Sequence, residues 1–190
     1  GVTNYISELN TLDDMWTSRV TSHIALRDVA DAITPDRIQE ATRLIDRTLR
    51  QAGHARPRIA VAALNPHAGD GGNFGREEID VIEPAVRRMA DGQMAVTGPL
   101  PSDTVFLKVT KGEIDAVVTM YHDQGQIALK LLGFDRGVTV QGGLPVPVTT
   151  PAHGTAFDIA GQGTADLGAT RAASEIACKM VRNSQKETAA

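Results

Sequence analysis

Two short apolar runs, at residues 58–64 and 114–120, constrain this chain more than any other feature. Each is bounded by polar turns and is too short for an independent helix. Each therefore reads as a strand buried in a sheet covered on both faces. Helical patterns lie around them. Thr34-Pro35-Asp36 is a helix start, with Thr as N-cap and Pro at the first helical position. Ile38, Ala41, Leu44, Ile45 and Leu49 follow on one face until Gly53. A second helix is expected over 76–90, with Ile79, Ile82, Val86 and Met89 sharing a face, Pro84 kinking or breaking it, and Gly92 ending it. Residues 95–98 read as a short strand, and Ser102-Asp103 as the cap of a helix to about Val109. Residues 124–132 read as a helix stopped by Gly133, and 137–150 as an extended passage that Pro145 and Pro147 keep irregular. A last helix is expected over 170–181. This alternation argues for an α/β fold in one domain, 1–182, with a frayed polar tail at 183–190.

The 190 residues carry a net charge of −4 and only 4% aromatics, which argues against a nucleic-acid surface. No apolar run approaches the roughly 20 residues of a membrane span, and the start lacks a signal peptide's order, so a cytoplasmic protein is expected. The single cysteine, Cys178, excludes an intramolecular disulfide and reads as a small buried residue of the last helix. Gly1 enters a patterned segment directly, as a piece of a longer domain would.

The apolar runs deliver histidines to the rim of the sheet. Asn65-Pro66-His67-Ala68-Gly69-Asp70 follows the first and Tyr121-His122-Asp123-Gln124 the second, while His23 lies in Thr21-Ser22-His23-Ile24. Three neutral imidazoles plus a water or substrate make the four-coordinate site of a catalytic divalent metal. The intervals of 44 and 55 residues contain no local motif, so convergence has to come from the fold; isolated caps and turn residues are the competing reading. Asp123 either orients the His122 ring or caps the following helix. Lys130, two turns further on, is a solvated lysine or an anion ligand. His153-Gly154-Thr155-Ala156-Phe157-Asp158, closing on Gly161 and Gly163, is either a capped short helix or a loop that holds adenosine with its ribose on the acid. The glycine turns lack the Rossmann fingerprint, and no H-E-x-x-H word supports a zinc hydrolase.

Taken together, Asn65-Pro66-His67-Ala68-Gly69, Gly98-Pro99-Leu100-Pro101-Ser102-Asp103-Thr104, Met120-Tyr121-His122-Asp123-Gln124-Gly125, Gly142-Gly143-Leu144-Pro145 and His153-Gly154-Thr155-Ala156 resemble, in order and spacing, the 4-hydroxythreonine-4-phosphate dehydrogenase (PdxA) family. The resemblance implies an isocitrate/isopropylmalate dehydrogenase-like layered fold with a mixed sheet, lacking its N-terminal part. It also implies an NAD-dependent, metal-dependent (Zn, Mg, Mn or Co) dehydrogenase that is a homodimer with a shared active site. It places the metal on His23, His67 and His122 from both subunits, the substrate on Thr3, Lys130 and Thr139, and the nucleotide on His153, Gly154, Thr155 and Asp158. Asp103 is a candidate base. Three positions depart from the family pattern: Val2 stands for a histidine, Thr139 for an asparagine and Val148 for an arginine. The loss of a guanidinium removes the best bidentate partner for phosphate or carboxylate. A related sugar-acid phosphate or vicinal diol is therefore expected as substrate, with or without decarboxylation. The alternative is a non-catalytic metal- or nucleotide-binding module or an inactive fragment of such an enzyme.

Overall fold

Alternation along two strands separates the core into two layers. In β3 (Ile59–Ala62), Ile59 and Val61 pack into one buried cluster while Ala60 and Ala62 pack into another. In β5 (Ala116–Thr119), Ala116 and Val118 join the first cluster and Val117 the second. Every residue of both strands is buried, as a sheet covered on both sides requires. The computed structural model that carries these elements describes residues 4–133 and 135–188.

The remaining strands are β1 (Ser7–Leu12), β2 (Met15–Arg19), β4 (Val96–Leu100), β6 (Val138–Gly142) and β7 (Thr149–Pro151). Together they form one sheet in the order β4-β3-β5-β2-β1-β6-β7. Strands β4, β3, β5 and β2 run parallel, whereas β1, β6 and β7 join antiparallel, so the sheet is mixed.

The helices are α1 (Val29–Ala32), α2 (Pro35–Gln51), α3 (Glu83–Asp91), α4 (Val105–Thr110), α5 (His122–Gly133) and α6 (Gly168–Thr188). Helix α2 starts as its sequence dictates: the Thr34 hydroxyl accepts from the Arg37 N–H, and Ile38, Leu44, Ile45 and Leu49 are fully buried. With α3 and α6 it covers the first layer; Val105 of α4 packs into the second, and Leu129 of α5 packs with Leu12 and Met15 in a further small cluster. At the N-terminal edge, Arg58 grips Asp115 at 2.6 and 3.0 Å, tying together the starts of β3 and β5. That guanidinium holds the Asp115 carboxyl below its ordinary range. No helix among the described residues is long and apolar enough to cross a membrane.

Several expectations are corrected. A π-turn at Glu78–Ile82 runs directly into α3, with Pro84 in the first turn of α3, so the regular hydrogen-bonding pattern is interrupted just before Pro84 but the helical run is not broken there. The same extra residue rotates Ile79 outward, to 38% exposure, while Ile82, Val86 and Met89 stay buried. Helix α4 starts later than expected, at Val105 after Thr104, and neither Ser102 nor Asp103 caps it. His122 does not sit in a turn but opens α5. The passage 137–150 contains the regular strand β6, whose pairing with β1 supplies the order that its glycines do not; only the loop bearing Pro145 and Pro147 is irregular. Helix α6 continues through the expected tail to Thr188, and Ala189 and Ala190 lie outside the described residues. Cys178 is exposed, because the buried stripe of α6 runs through Ala169, Ala173 and Met180 and bypasses it.

Candidate metal and substrate site

Three adjacent parallel strands bring the histidine segments to one rim. His23 follows β2, His122 follows β5 and His67 follows β3, and these strands neighbour one another in the order β3-β5-β2. This C-terminal rim is where open α/β sheets place their ligands.

The rings of His23 and His122 lie 5.5 Å apart, centre to centre, tilted by 44°. Two imidazoles on one tetrahedral ion, with metal–nitrogen bonds of about 2.0–2.1 Å, have ring centres roughly 5 Å apart. The pair thus has the spacing that a shared ion needs. The Asp123 carboxylate lies 2.6 Å from His122 Nδ1. A carboxylate only accepts, so Nδ1 is the donor of this pair, and Nε2 is the nitrogen that a neutral His122 ring would offer to a metal. Of the two roles weighed for Asp123, orientation of the ring is the one its contact serves. His23 Nδ1 is 3.3 Å from the Ser22 hydroxyl.

His67 is exposed, and its ring lies 6.1 Å from that of Phe74 of its own loop, tilted by 50°. Among the described residues, no group of three or more His, Cys, Asp or Glu side chains is placed to hold a metal ion. One chain thus brings together two of the three expected ligands.

The loop that carries His67 is left-handed over five consecutive residues, with φ between 46° and 79° from His67 to Gly71. Such backbone is costly for non-glycine residues and persists only where the surroundings hold it. Glu78 does so. Its buried carboxylate accepts from the Leu64 and Asn65 N–H groups at 2.8 and 2.7 Å and from Asn65 Nδ2 at 3.0 Å. Gln124 ties the neighbouring segments: it donates to the Ala63 carbonyl at 2.9 Å and accepts from the Met120 N–H at 2.7 Å. Sequence reasoning missed both. Read along the chain, Glu78 is one of several acids in the 76–90 segment, and Gln124 is legible only as part of its His-Asp-Gln word.

Asp103 is exposed on the same rim, after β4, and makes no hydrogen bond or ion pair among the described residues. Lys130 and Gln126 of α5 line a small recess with Asn10, Thr11, Leu129, Gly133, Gly137 and Ala152. The Thr139 hydroxyl accepts from Asn10 Nδ2 at 3.0 Å beside it, so Lys130 and Thr139 do share a neighbourhood. Thr3 and Val2 lie outside the described residues. Val148 is partly exposed, and its carbonyl accepts from the Gln141 N–H.

The expected nucleotide loop is exposed throughout. His153 Nδ1 lies 2.9 Å from the Gly154 carbonyl, Ala156 is left-handed, and Phe157–Ile159 forms a single 3₁₀ turn. The Asp158 carboxylate makes no hydrogen bond or ion pair among the described residues, and Thr155 is likewise exposed.

Comparison with known proteins gives a consistent picture. The family model described as pyridoxal phosphate biosynthetic protein PdxA matches residues 1–177. A protein of Pseudomonas aeruginosa provisionally named 4-hydroxythreonine-4-phosphate dehydrogenase 2 is 65% identical over 179 residues, covering 93% of this chain and 53% of its own length. The 4-hydroxythreonine-4-phosphate dehydrogenase of Klebsiella pneumoniae superposes with a TM-score of 0.83 at 43% identity, over 94% of this chain and 54% of that one. A terephthalate 1,2-cis-dihydrodiol dehydrogenase of Burkholderia xenovorans gives 0.75 at 32% identity, over 92% and 55%. A beta-decarboxylating dehydrogenase of Thermococcus kodakarensis, 16% identical, shares the fold with a TM-score of 0.54 over 78% and 43%. The chain spans about half the length of the curated relatives it matches.

Proposed function

This chain belongs to the PdxA family, and on that premise we propose that it carries the metal-binding part of an NAD-dependent dehydrogenase acting on a hydroxyl of a small vicinal hydroxy compound. The observation that carries this reading is the His23–His122 pair, 5.5 Å apart at the ends of adjacent parallel strands, with the Asp123 carboxylate on His122 Nδ1. The third ligand is His67 of a second copy, in a homodimer that shares its sites. A divalent metal held there, Zn, Mg, Mn or Co, would supply Lewis-acid polarisation of a substrate hydroxyl, and bound NAD would supply the hydride acceptor.

The chain's own residues supply binding and orientation. Lys130 offers a cation to the substrate's anionic end, and Thr139 a hydroxyl beside it, with Thr3 as a further contact. The exposed loop His153, Gly154, Thr155 and Asp158 holds the adenosine half of the nucleotide, with the unpaired Asp158 carboxylate as acceptor for ribose hydroxyls. Asp103, on the same rim, is the candidate proton acceptor. Val148 offers no guanidinium to a phosphate, which disfavours 4-hydroxythreonine 4-phosphate and, among the related compounds, favours an unphosphorylated vicinal diol over a sugar-acid phosphate. We place the enzyme in the cytoplasm, a compartment that keeps a thiol such as that of Cys178 reduced.

NADH formation from each substrate type, with Zn(II), Mg(II), Mn(II) or Co(II) added, tests the reading. Turnover of a diol or sugar-acid phosphate supports it; preferred turnover of 4-hydroxythreonine 4-phosphate removes the substrate assignment. Metal and NAD binding without turnover of any of them favours a non-catalytic module.

A further inference from the structure

Arg19, the last residue of β2, is only 5% exposed. A guanidinium is rarely buried unless each of its donors is used. Here Nη2 donates to Glu8 at 2.6 Å, Nη1 to Asn10 Oδ1 at 2.9 Å and Nε to the Ser22 hydroxyl at 2.9 Å. The first bond neutralises the charge, and a lysine could make it. The other two use the planar fork, which only arginine has.

Those two bonds reach toward different parts of the candidate site. Asn10 Oδ1 also accepts from Gln126 Nε2, one helical turn before Lys130, while Asn10 Nδ2 donates to Thr139. In the other direction Ser22 Oγ lies 3.3 Å from His23 Nδ1. Arginine only donates, so Ser22 Oγ must accept from Nε. One lone pair and the hydroxyl proton then remain for the imidazole. The Nε bond thus sets the position of the Ser22 oxygen, and with it one contact of the exposed His23 ring.

We propose that Arg19 is a positioning residue of the metal centre, fixing the His23 ring through Ser22 just as Asp123 fixes the His122 ring directly. The proposal rests on the metal reading above, and it adds a residue that touches neither metal nor substrate.

The test compares Co(II) and Zn(II) affinity, the Co(II) visible spectrum and thermal stability in the wild-type protein, Ser22→Ala, Ser22→Thr, Arg19→Lys and the Arg19→Lys/Ser22→Ala double variant. Ser22→Ala is expected to weaken Co(II) binding about tenfold and to change its spectrum while leaving the melting temperature in place, because it removes one outer contact of a ligand. Ser22→Thr, which keeps the hydroxyl, restores affinity. Arg19→Lys weakens binding to a similar degree, and the double variant is no weaker than Arg19→Lys alone, since both act through one contact. Wild-type affinity in Ser22→Ala overturns the proposal, as do losses that add in the double variant. Should Arg19→Lys fail to fold, the Ala and Thr variants of Ser22 decide the matter. A wild-type protein that binds neither ion overturns the metal reading itself and this proposal with it; wild-type binding with unchanged variants overturns this proposal alone.

Discussion

Replacing Glu78 should unseat the His67 loop, and the size of the effect can be worked from its contacts. Glu78→Ala leaves the Leu64 and Asn65 N–H groups, now bonded at 2.8 and 2.7 Å, without an acceptor beneath a left-handed turn. Each orphaned donor costs about 1–3 kcal/mol, and entry of water recovers part of it, so a loss of about 3 kcal/mol is expected. For a chain of this size that is a fall of roughly 6–12 °C in melting temperature. Glu78→Gln keeps one acceptor but turns an amide N–H₂ toward Asn65 Nδ2, also a donor, so about 1–2 kcal/mol is lost with the charge-assisted bonds. Urea unfolding at neutral pH, followed by circular dichroism, measures both. An order of Ala below Gln below wild type is expected; a Glu78→Ala variant within 0.5 kcal/mol of wild type, the ordinary range for unimportant surface changes, would refute the idea that this carboxylate holds the loop.

Three further outcomes are expected. Arg58 depresses the Asp115 carboxyl, so that pair stabilises the fold above the unfolded value of about 3.9 and ceases to do so as pH falls through the lower folded value. Asp115→Asn should therefore be less stable than wild type at neutral pH and approach it below about pH 4, and a gap constant with pH in denaturation midpoints contradicts this. Gly69→Ala places a Cβ 2.7 Å from Glu78 Oε2 at a φ of +79°, and calorimetry should show destabilisation of about 1–3 kcal/mol. Asp123→Asn, which removes the anionic acceptor from His122 Nδ1, should weaken Zn(II) binding about 10–100-fold by isothermal titration with little change in stability.

What could be read from the sequence was local and strongly patterned. Thr34-Pro35 and the 38/41/45/49 spacing fixed α2 closely, and the two apolar runs gave β3 and β5 with the rim position of the histidines. Strands β1 and β6 escaped because neither declares itself alone: Glu8, Asn10, Thr139 and Gln141 are polar, and their strand character comes from pairing with each other across 129 and more residues. The π-turn before α3 escaped because periodicity assumes 3.6 residues per turn, and one inserted residue moved Ile79 to the surface. At the site, the ligand types were legible but their supports were not. Glu78, Gln124 and Arg19 act through contacts fixed only by the tertiary fold, and each looks like an ordinary polar residue in its own segment.

The central claim is that His23 and His122 hold one divalent ion between them. Equilibrium dialysis of the wild-type protein, of His23→Ala and His122→Ala, and of the His23→Ala/His122→Ala double variant against Zn(II), with bound metal counted by elemental analysis, tests it directly. The account predicts about one ion per chain in the wild type, tight binding lost in each single variant, and no further loss in the double variant, since one four-coordinate site is being removed. Stoichiometric tight binding that survives in both single variants would contradict it.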